Sequence, residues 1–182
     1  MAVADVALQG LTTWSIDPAH THVEFAVRHM MITTVKGRFT DVRGTVRSDD
    51  SDPAKSEVDV TIGVASIDTR EAQRDAHLRS ADFLEAEQFP TITFKSRRIA
   101  DGNSFRLVGD LTIRGVTREV VLEVTSEGRA KDPWGGERAG FTAATKIKRS
   151  DFGLTWNQAL ETGGVLVGDE VKISLDIELV KQ

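Results

Sequence analysis

The sequence contains no cysteine among its 182 residues. Disulfide bridges, iron–sulfur clusters, thiolate zinc sites and a thiol nucleophile are therefore excluded. Tyrosine is also absent, whereas eight phenylalanines are present. Charged residues interrupt every apolar stretch well before the ~18 consecutive apolar residues that a membrane-spanning helix requires. We therefore expect a chain that does not span a membrane.

Net positive charge is lacking as well, because the formal net charge is -5 and the pI is near 5.4. A protein that neutralises phosphate backbones normally carries a clustered basic surface, so nucleic acid is not an expected partner. The sequence also lacks a Gly-x-Gly-x-x-Gly loop, a Walker-type loop and a Gly-x-Ser-x-Gly motif. Nothing in it therefore points to a nucleotide cofactor or a serine hydrolase, and we expect no cofactor.

Apolar and polar residues alternate in eight segments, which is the pattern of strands that bury one face. These segments cover residues 20–29, 35–47, 55–67, 90–99, 104–114, 117–127, 137–148 and 168–180. Connections rich in Gly, Pro, Asn and Asp lie at 49–53, 101–103, 114–116 and 132–136. Short turns of this composition favour antiparallel neighbours.

The interval 68–80 breaks this alternation and predicts one helix, with Asp68 as its N-cap and Glu71 as the acidic residue three positions later. A short turn is expected over 81–87, before Pro90 opens the next strand. The interval 150–167 contains Gly153, Gly163 and Gly164 and shows no clear periodicity. We interpret it as a long loop, a kind of segment that is often functional.

Eight antiparallel strands with one inserted helix fit either a two-sheet sandwich or a closed up-and-down barrel. Several segments have ten or more residues, and long, twisted strands suit a barrel wall better than a sandwich. The sequence therefore predicts an all-β, mainly antiparallel, eight-stranded up-and-down barrel with one inserted α-helix. A barrel of eight strands either fills with side chains or holds one small ligand.

Within each predicted strand, apolar residues occupy alternate positions and are therefore expected to point to the same side, inward. They are Val23, Phe25, Val27, Phe39, Val58, Val60, Ile62, Ile92, Phe94, Phe105, Leu107, Leu111, Ile113, Val120, Leu122, Phe141, Ile147, Ile173, Leu175 and Ile177. This set could meet in a solid core or line a cavity. A solid barrel would act as an interaction or stress-response module. A cavity lined by phenyl rings without phenol hydroxyls would suit an apolar ligand.

Three of the four histidines lie close together near the first predicted strand. His20 and His22 share a strand face with Glu24, so the three could hold zinc or iron and serve a metal-dependent or acid–base enzyme. Histidines at the start of a strand more often bind loop backbone. His29 has the parity of Val27 and is a candidate donor to the polar head of a ligand. Arg149 is a candidate partner for an anionic head group or an exposed, ion-paired residue.

Several motifs resemble the YceI-like family, in order and at comparable spacing over about residues 13–180. They are DPAHTHVEFAVRH (17–29), VKGRF (35–39), IDT (67–69), RDAHLRSADF (74–83), FP (89–90), GDLTIRGVT (109–117) and KRSDFGL (148–154). So many motifs in register are far more specific than any single one of them.

The resemblance implies a lipocalin-like barrel whose apolar tunnel holds a polyisoprenoid or a similar long-chain isoprenoid or fatty amphiphile. It implies a carrier or reservoir, not an enzyme, and often a homodimer. The matching motifs imply that the wall and mouth residues include Phe25, Val27, Phe39, Phe83, Phe89, Phe94, Ile113, Phe141, Phe152 and Leu154. His29 and Arg149 complete the predicted ligand-binding set.

Residues 1–12 are interpreted as an N-terminal extension and residues 13–182 as the barrel domain. The first ten residues have neither a basic region nor a long apolar region, so the sequence as given predicts a cytoplasmic protein. Many members of the resembling family are exported. A periplasmic or secreted location is therefore the expectation if a leader was removed.

Overall fold

The computed structural model describes residues 10–100 and 104–182, and the turn predicted at 101–103 lies outside these ranges. Eleven strands form one sheet within the described residues. The strands are β1 (Thr12–Ile16), β2 (His22–His29), β3 (Thr33–Phe39), β4 (Val42–Ser48), β5 (Glu57–Gly63), β6 (Ile67–Asp68), β7 (Thr91–Ala100), β8 (Ser104–Ile113), β9 (Val116–Lys131), β10 (Glu137–Lys148) and β11 (Val167–Lys181). A single α-helix, α1 (Ala72–Arg79), lies between β6 and β7 in this part of the chain.

The sheet closes on itself because β1 pairs with β4 on one side and with β11 on the other. The closed ring runs β1-β4-β5-β7-β8-β9-β10-β11, and every neighbouring pair is antiparallel. Strand β2 continues β1 along the same edge of β11, β3 continues β4, and β6 continues β5. The predicted eight-stranded up-and-down barrel with one helix is confirmed.

Two of the predicted strands, 35–47 and 55–67, are interrupted, and a further strand, β1, precedes the first predicted one. A 3-10 turn, Pro18–His20, separates β1 from β2, and the predicted segment 20–29 missed β1 entirely. Thr40 and Asp41 separate β3 from β4, and a second 3-10 turn, Val64–Ser66, separates β5 from β6. Breaks of this kind let long strands bend, which a closed barrel requires.

The N-cap of the helix lies three residues after the predicted one. Glu71 is the N-cap, and its carboxylate accepts from the backbone N–H of Gln73 at 3.2 Å and of Arg74 at 2.7 Å. Asp68 instead accepts from the backbone N–H of Arg70 at 2.9 Å, in the turn before the helix. Asp68 is paired in β6, so it is committed to the sheet and cannot cap α1.

The β8–β9 connection is a two-residue turn, because Ile113 pairs directly with Val116. Arg114 and Gly115 both have positive φ angles, 49° and 71°, as a type I′ hairpin requires. A Cβ atom on Gly115 would lie 2.8 Å from the Phe89 ring. Glycine therefore serves both the turn geometry and the packing of Phe89.

The two ends of the barrel differ. At the helix end lie α1, the turns of residues 80–90 and the loop that follows the 3-10 turn Arg149–Phe152. Phe83 and Leu84 are buried there, and the rings of His77, Phe83 and Trp156 contact one another, with the His77 centroid 4.9 Å from that of Phe83 and 4.7 Å from that of Trp156. Apolar side chains thus cover the helix end. The opposite end carries the loop 49–56 between β4 and β5.

Candidate functional site

An apolar cavity of about 590 Å³ lies inside the barrel. Its volume falls in the range of about 300–1,000 Å³ that is typical of small-molecule sites. Side chains from all eight strands of the closed ring line it, and so does Val23 of β2. The interior is therefore hollow, unlike the solid core of the alternative that the sequence left open.

Most of the residues that strand parity predicted to point inward line this cavity. Phe25, Val27, Phe39 and Ile147 are the exceptions. Strand parity did not predict eight further lining residues, because it was applied neither to the strand ends nor to small side chains. These are Ile16, Val42, Val46, Ile99, Val124, Ala143, Thr145 and Leu179.

Among the residues predicted to bind the ligand, Phe94, Ile113 and Phe141 line the cavity. Phe94 and Ile113 are buried in its wall, and Phe141 packs against Phe105 with ring centroids 6.3 Å apart. A Cβ atom on Gly109 would collide with the Phe94 ring, so glycine at this position lets the ring lie against β8. These three residues are placed where an interior ligand would touch them, and their contact with a ligand stays a prediction.

Four other predicted residues belong to β2 or β3 and do not line the cavity. Phe25 and Phe39 pack against each other with centroids 5.6 Å apart, and the Phe25 ring occupies the space that Gly37 leaves open. Val27 and His29 are half-buried near the end of β2, where they pair with Val171 and Val167 of β11.

The remaining apolar residues of the predicted set are at the helix end. Phe152 is 1% exposed, and Phe83 and Leu154 are also buried. Phe89 is half-buried against Gly115. These residues belong to the apolar cover of the barrel, outside the lining of the cavity.

Arg149 is buried and binds backbone. Its guanidinium donates to the carbonyl oxygens of Leu154 at 2.7 Å, Gly168 at 2.8 Å, Trp156 at 2.9 Å and Val167 at 3.2 Å. Burial lowers the pKa of this guanidinium from its ordinary value. The geometry gives Arg149 a structural role, because it ties the loop after Arg149–Phe152 to β11, and its predicted contact with a ligand is untested.

The histidines do not form the trio that the metal-enzyme alternative requires. His22 and Glu24 are exposed on β2, whereas His20 Nδ1 lies 2.9 Å from Asp17 Oδ2 and 3.8 Å from Glu178 Oε2. Arg138 Nη1 also contacts both carboxylates, at 2.7 Å from Asp17 Oδ2 and 2.9 Å from Glu178 Oε1. The Arg138 guanidinium already bridges these two carboxylates, so the cluster fits an ion-pair network better than a metal site.

Hydrogen bonds and charge shift the ionisation of this cluster. The hydrogen bond with His20, followed by that from Arg138, lowers the pKa of Asp17 to about 2. The same bond with Asp17 raises the pKa of His20, and the charge of Glu178 adds to this effect. The cluster thereby holds the 3-10 turn Pro18–His20 against β10 and β11.

The polar part of the cavity lining lies at the end opposite the helix. We call Ser48, Asp49, Asp50, Pro53, Ser56 and Arg129 the rim. Asp50, Pro53 and Arg129 are exposed, whereas the apolar lining residues are buried or half-buried. The cavity therefore meets solvent at the rim.

The alternation in the sequence did not predict that the rim residues line the cavity, and Arg129 illustrates why. Val120, Leu122 and Val124 of β9 alternate regularly into the cavity, so Arg129 has the parity of an outward residue. Gly128 pairs with Gly140 and Ser126 with Phe141, which leaves Glu127 as an extra residue in β9. Such a bulge reverses the parity of the residues that follow, and Arg129 consequently lines the cavity. Gly128 was the available signal in the sequence, because glycine in a strand often marks a bulge, and its φ is 105° in the structure.

A closed barrel with a hollow apolar interior and one polar rim defines the lipocalin-like class of ligand-binding barrels. The family model described as "YceI-like domain" matches residues 14–179. Protein YceI of Escherichia coli is 42% identical over 164 residues, which are 90% of this chain and 83% of the relative. The chain belongs to the YceI-like family.

Two solved structures share the fold. BcnA of Burkholderia cenocepacia superimposes with a TM-score of 0.78 at 27% identity, over 90% of this chain and 98% of the other. A polyisoprenoid binding domain from Saccharophagus degradans, implicated in plant cell wall breakdown, superimposes with a TM-score of 0.67 at 14% identity, over 93% of this chain and 98% of the other. In the described residues, no helix is long and apolar enough to cross a membrane.

Proposed function

We propose that the protein binds a polyisoprenoid or a similar long-chain amphiphile inside the barrel and acts as a carrier or reservoir, without catalysing a reaction. The observation that carries the proposal is the cavity of about 590 Å³, whose lining is almost entirely aliphatic and phenyl. The shared fold with a polyisoprenoid binding domain agrees with this ligand class.

Burial of a hydrocarbon tail can supply the affinity by itself. Each buried methylene stabilises by roughly 0.8 kcal/mol, so about ten of them match the ~8 kcal/mol of a micromolar site before ordering costs are subtracted. A few isoprene units reach this number. Affinity therefore requires no reactive group, and a carrier role follows from reversible binding.

Two alanines of β10 provide a matched test. Ala143 is buried and lines the cavity, whereas its neighbour Ala144 is exposed on the outer face. We expect Ala143→Phe to fill part of the lumen and to weaken the binding of geranylgeraniol by about tenfold or more, because a phenyl ring displaces several buried methylenes. Binding is measured by titrating delipidated protein and following the quenching of tryptophan fluorescence.

Ala144→Phe adds the same side chain outside the lumen and should bind geranylgeraniol like the wild type. Equal affinities of the two variants would contradict an interior site. Native mass spectrometry of protein from its own host adds an independent test, with a co-purified hydrocarbon-chain ligand as the expected result. Light scattering on the same sample tests whether the protein forms the homodimer that we also propose.

A further inference from the structure

The polar groups of the cavity lining are concentrated at the rim, and among the described residues only Thr145 contributes a polar side chain elsewhere. The helix end, in contrast, is covered by buried apolar side chains such as Phe152 and Leu84. An amphiphile whose tail fills the lumen can therefore place its polar head at one end only. That end is the rim.

An ion pair crosses the rim. Arg129 Nη2 lies 2.7 Å from Asp50 Oδ1, and Arg129 Nη1 lies 3.2 Å from Asp50 Oδ2. Arg129 belongs to β9, and Asp50 follows β4. These two strands lie on opposite sides of the ring of eight strands. The guanidinium also lies 5.1 Å from the centroid of the Trp14 ring, which helps to hold it in place.

The charge of the rim is not balanced by Arg129. Asp49 adds a second carboxylate, which accepts from the backbone N–H of Ser51 at 2.9 Å and of Asp52 at 3.1 Å. These bonds favour its ionised form. Two carboxylates thus face one guanidinium, and that guanidinium is already bound to Asp50.

Two neighbouring lysines do not change this balance. Lys181 Nζ is 2.9 Å from Glu137 Oε2, and Lys55 Nζ is 3.7 Å from Asp52 Oδ2. Each lysine therefore has a carboxylate partner outside the rim. A phosphate or carboxylate head group at the rim would meet excess negative charge.

The rim also offers two hydroxyl groups. Ser48 Oγ accepts from Trp14 Nε1 at 2.9 Å, and Ser56 Oγ accepts from the backbone N–H of Asp49 at 3.1 Å. Within residues 10–100 and 104–182, neither hydroxyl donates to a protein acceptor. Each can therefore donate its proton to a ligand oxygen.

We infer that Ser48, Asp50, Ser56 and Arg129 form the head-group subsite, and that their charges select an uncharged, hydrogen-bonding head such as a hydroxyl or carbonyl over an anionic one. The inference rests on the proposed function and deepens it. Asp50 is the specificity-determining residue. Because its carboxylate forms an ion pair with Arg129, the guanidinium is not available to bind a phosphate or carboxylate head.

The test compares two probes that share one tail, geranylgeraniol and geranylgeranyl monophosphate, on delipidated protein. The wild type should bind the alcohol more tightly. Asp50→Asn preserves the shape of the side chain and frees the guanidinium of Arg129. It should strengthen binding of the monophosphate relative to that of the alcohol by about tenfold, the effect of one charge interaction near a protein surface.

Glu57→Gln is the matched control. Glu57 pairs with Arg47 on adjacent strands near the same end, with Arg47 Nη2 at 2.9 Å from Glu57 Oε2, but neither residue lines the cavity. This variant also loses one negative charge and should leave the ratio of the two affinities unchanged. Added salt should reduce the gain in Asp50→Asn, because ions screen exposed charges.

A wild type that prefers the monophosphate would overturn the inference, and so would an Asp50→Asn variant with the wild-type ratio of affinities. In both cases the tail would still bind, so the proposed interior site would stand. A wild type that binds neither probe would instead contradict the proposed function itself. The result thus separates the failure of the head-group subsite from the failure of the lipid site.

Discussion

At the scale of single residues, two arginines show how position in the barrel decides the role of a side chain. Arg149 is 6% exposed, and its guanidinium donates to four backbone carbonyl oxygens. Arg129 is exposed at the rim and donates to a single carboxylate. The first organises a loop, whereas the second lines the cavity.

Replacing Arg149 should destabilise the fold without affecting the lumen. We expect Arg149→Met to lower the free energy of unfolding by about 3 kcal/mol, because buried carbonyl oxygens lose their donors. Urea denaturation measures the loss. Arg43→Met is the control, since Arg43 is exposed and pairs with Asp41 at 3.4 Å, and it should change stability by less than about 1 kcal/mol.

The same Arg149 variant also tests its predicted ligand role. If Arg149 acts only through the backbone, the folded variant should bind geranylgeraniol with wild-type affinity. Weaker binding by a variant of normal stability would instead support the contact with a ligand that the motif implied.

At the scale of elements, the 3-10 turn Pro18–His20 lets β1 and β2 share the edge of β11. Its position depends on charge: His20 and Asp17 bind each other, and Arg138 joins Asp17 to Glu178. A turn that interrupts a wall strand needs such an anchor, because the sheet hydrogen bonds stop at the interruption.

The two shifted pKa values of this turn predict opposite pH effects. The pKa of Asp17 falls from 3.8 to about 2 in the folded protein, so its contribution to stability is present above pH 3.8 and is lost as the pH falls towards 2. The pKa of His20 is raised above 6.5, so its contribution is complete below pH 6.5 and is lost as the pH rises through the raised pKa.

Urea midpoints across this pH range test both effects. Asp17→Asn should remove much of the loss of stability at acidic pH, and His20→Gln should flatten the loss on the alkaline side. Asp41→Asn, which changes an exposed carboxylate paired with Arg43, should keep the wild-type profile. An unchanged pH profile in Asp17→Asn would show that the cluster does not anchor the turn.

At the scale of the whole molecule, ring closure creates the cavity. Strand β1, near one end of the chain, pairs with β11 near the other, with Trp14 opposite Lys181. Trp14 is 2% exposed and packs in a second apolar cluster with Leu179 and Ala139. Closure therefore joins β1 to β11 and leaves no open edge along this ring of described strands.

Ligand removal should change the stability of the whole barrel. A ligand that binds only the folded state at a hundredfold excess over its Kd stabilises it by about 2.7 kcal/mol, which corresponds to a Tm higher by roughly 5–10 °C for a domain of this size. We expect this rise when geranylgeraniol is added to delipidated protein, measured by calorimetry.

Ala143→Phe is the control, because a tenfold weaker affinity should reduce the rise in Tm by about half. A rise of equal size in this variant would indicate that the ligand binds outside the cavity. Ala144→Phe should keep the wild-type response, since its side chain points away from the lumen.

Alternation of apolar and polar residues was enough to predict seven of the eight ring strands, all but β1, together with the single helix and the inward parity of most lining residues. Alternation is a local property, since each residue of a strand faces opposite to its neighbour. Val120, Leu122, Leu107 and Phe94 are accordingly found in the cavity wall as predicted.

Three features depend on the three-dimensional fold: where the strands break, which arginine is buried and which end of the barrel is polar. The bulge at Glu127 reverses the parity of Arg129, and the partner of Arg129, Asp50, comes from the opposite side of the ring. The pairing of β1 with β11 likewise joins distant parts of the chain. Such contacts depend on closure of the ring, and a pattern that relates a residue only to its sequence neighbours carries no information about them.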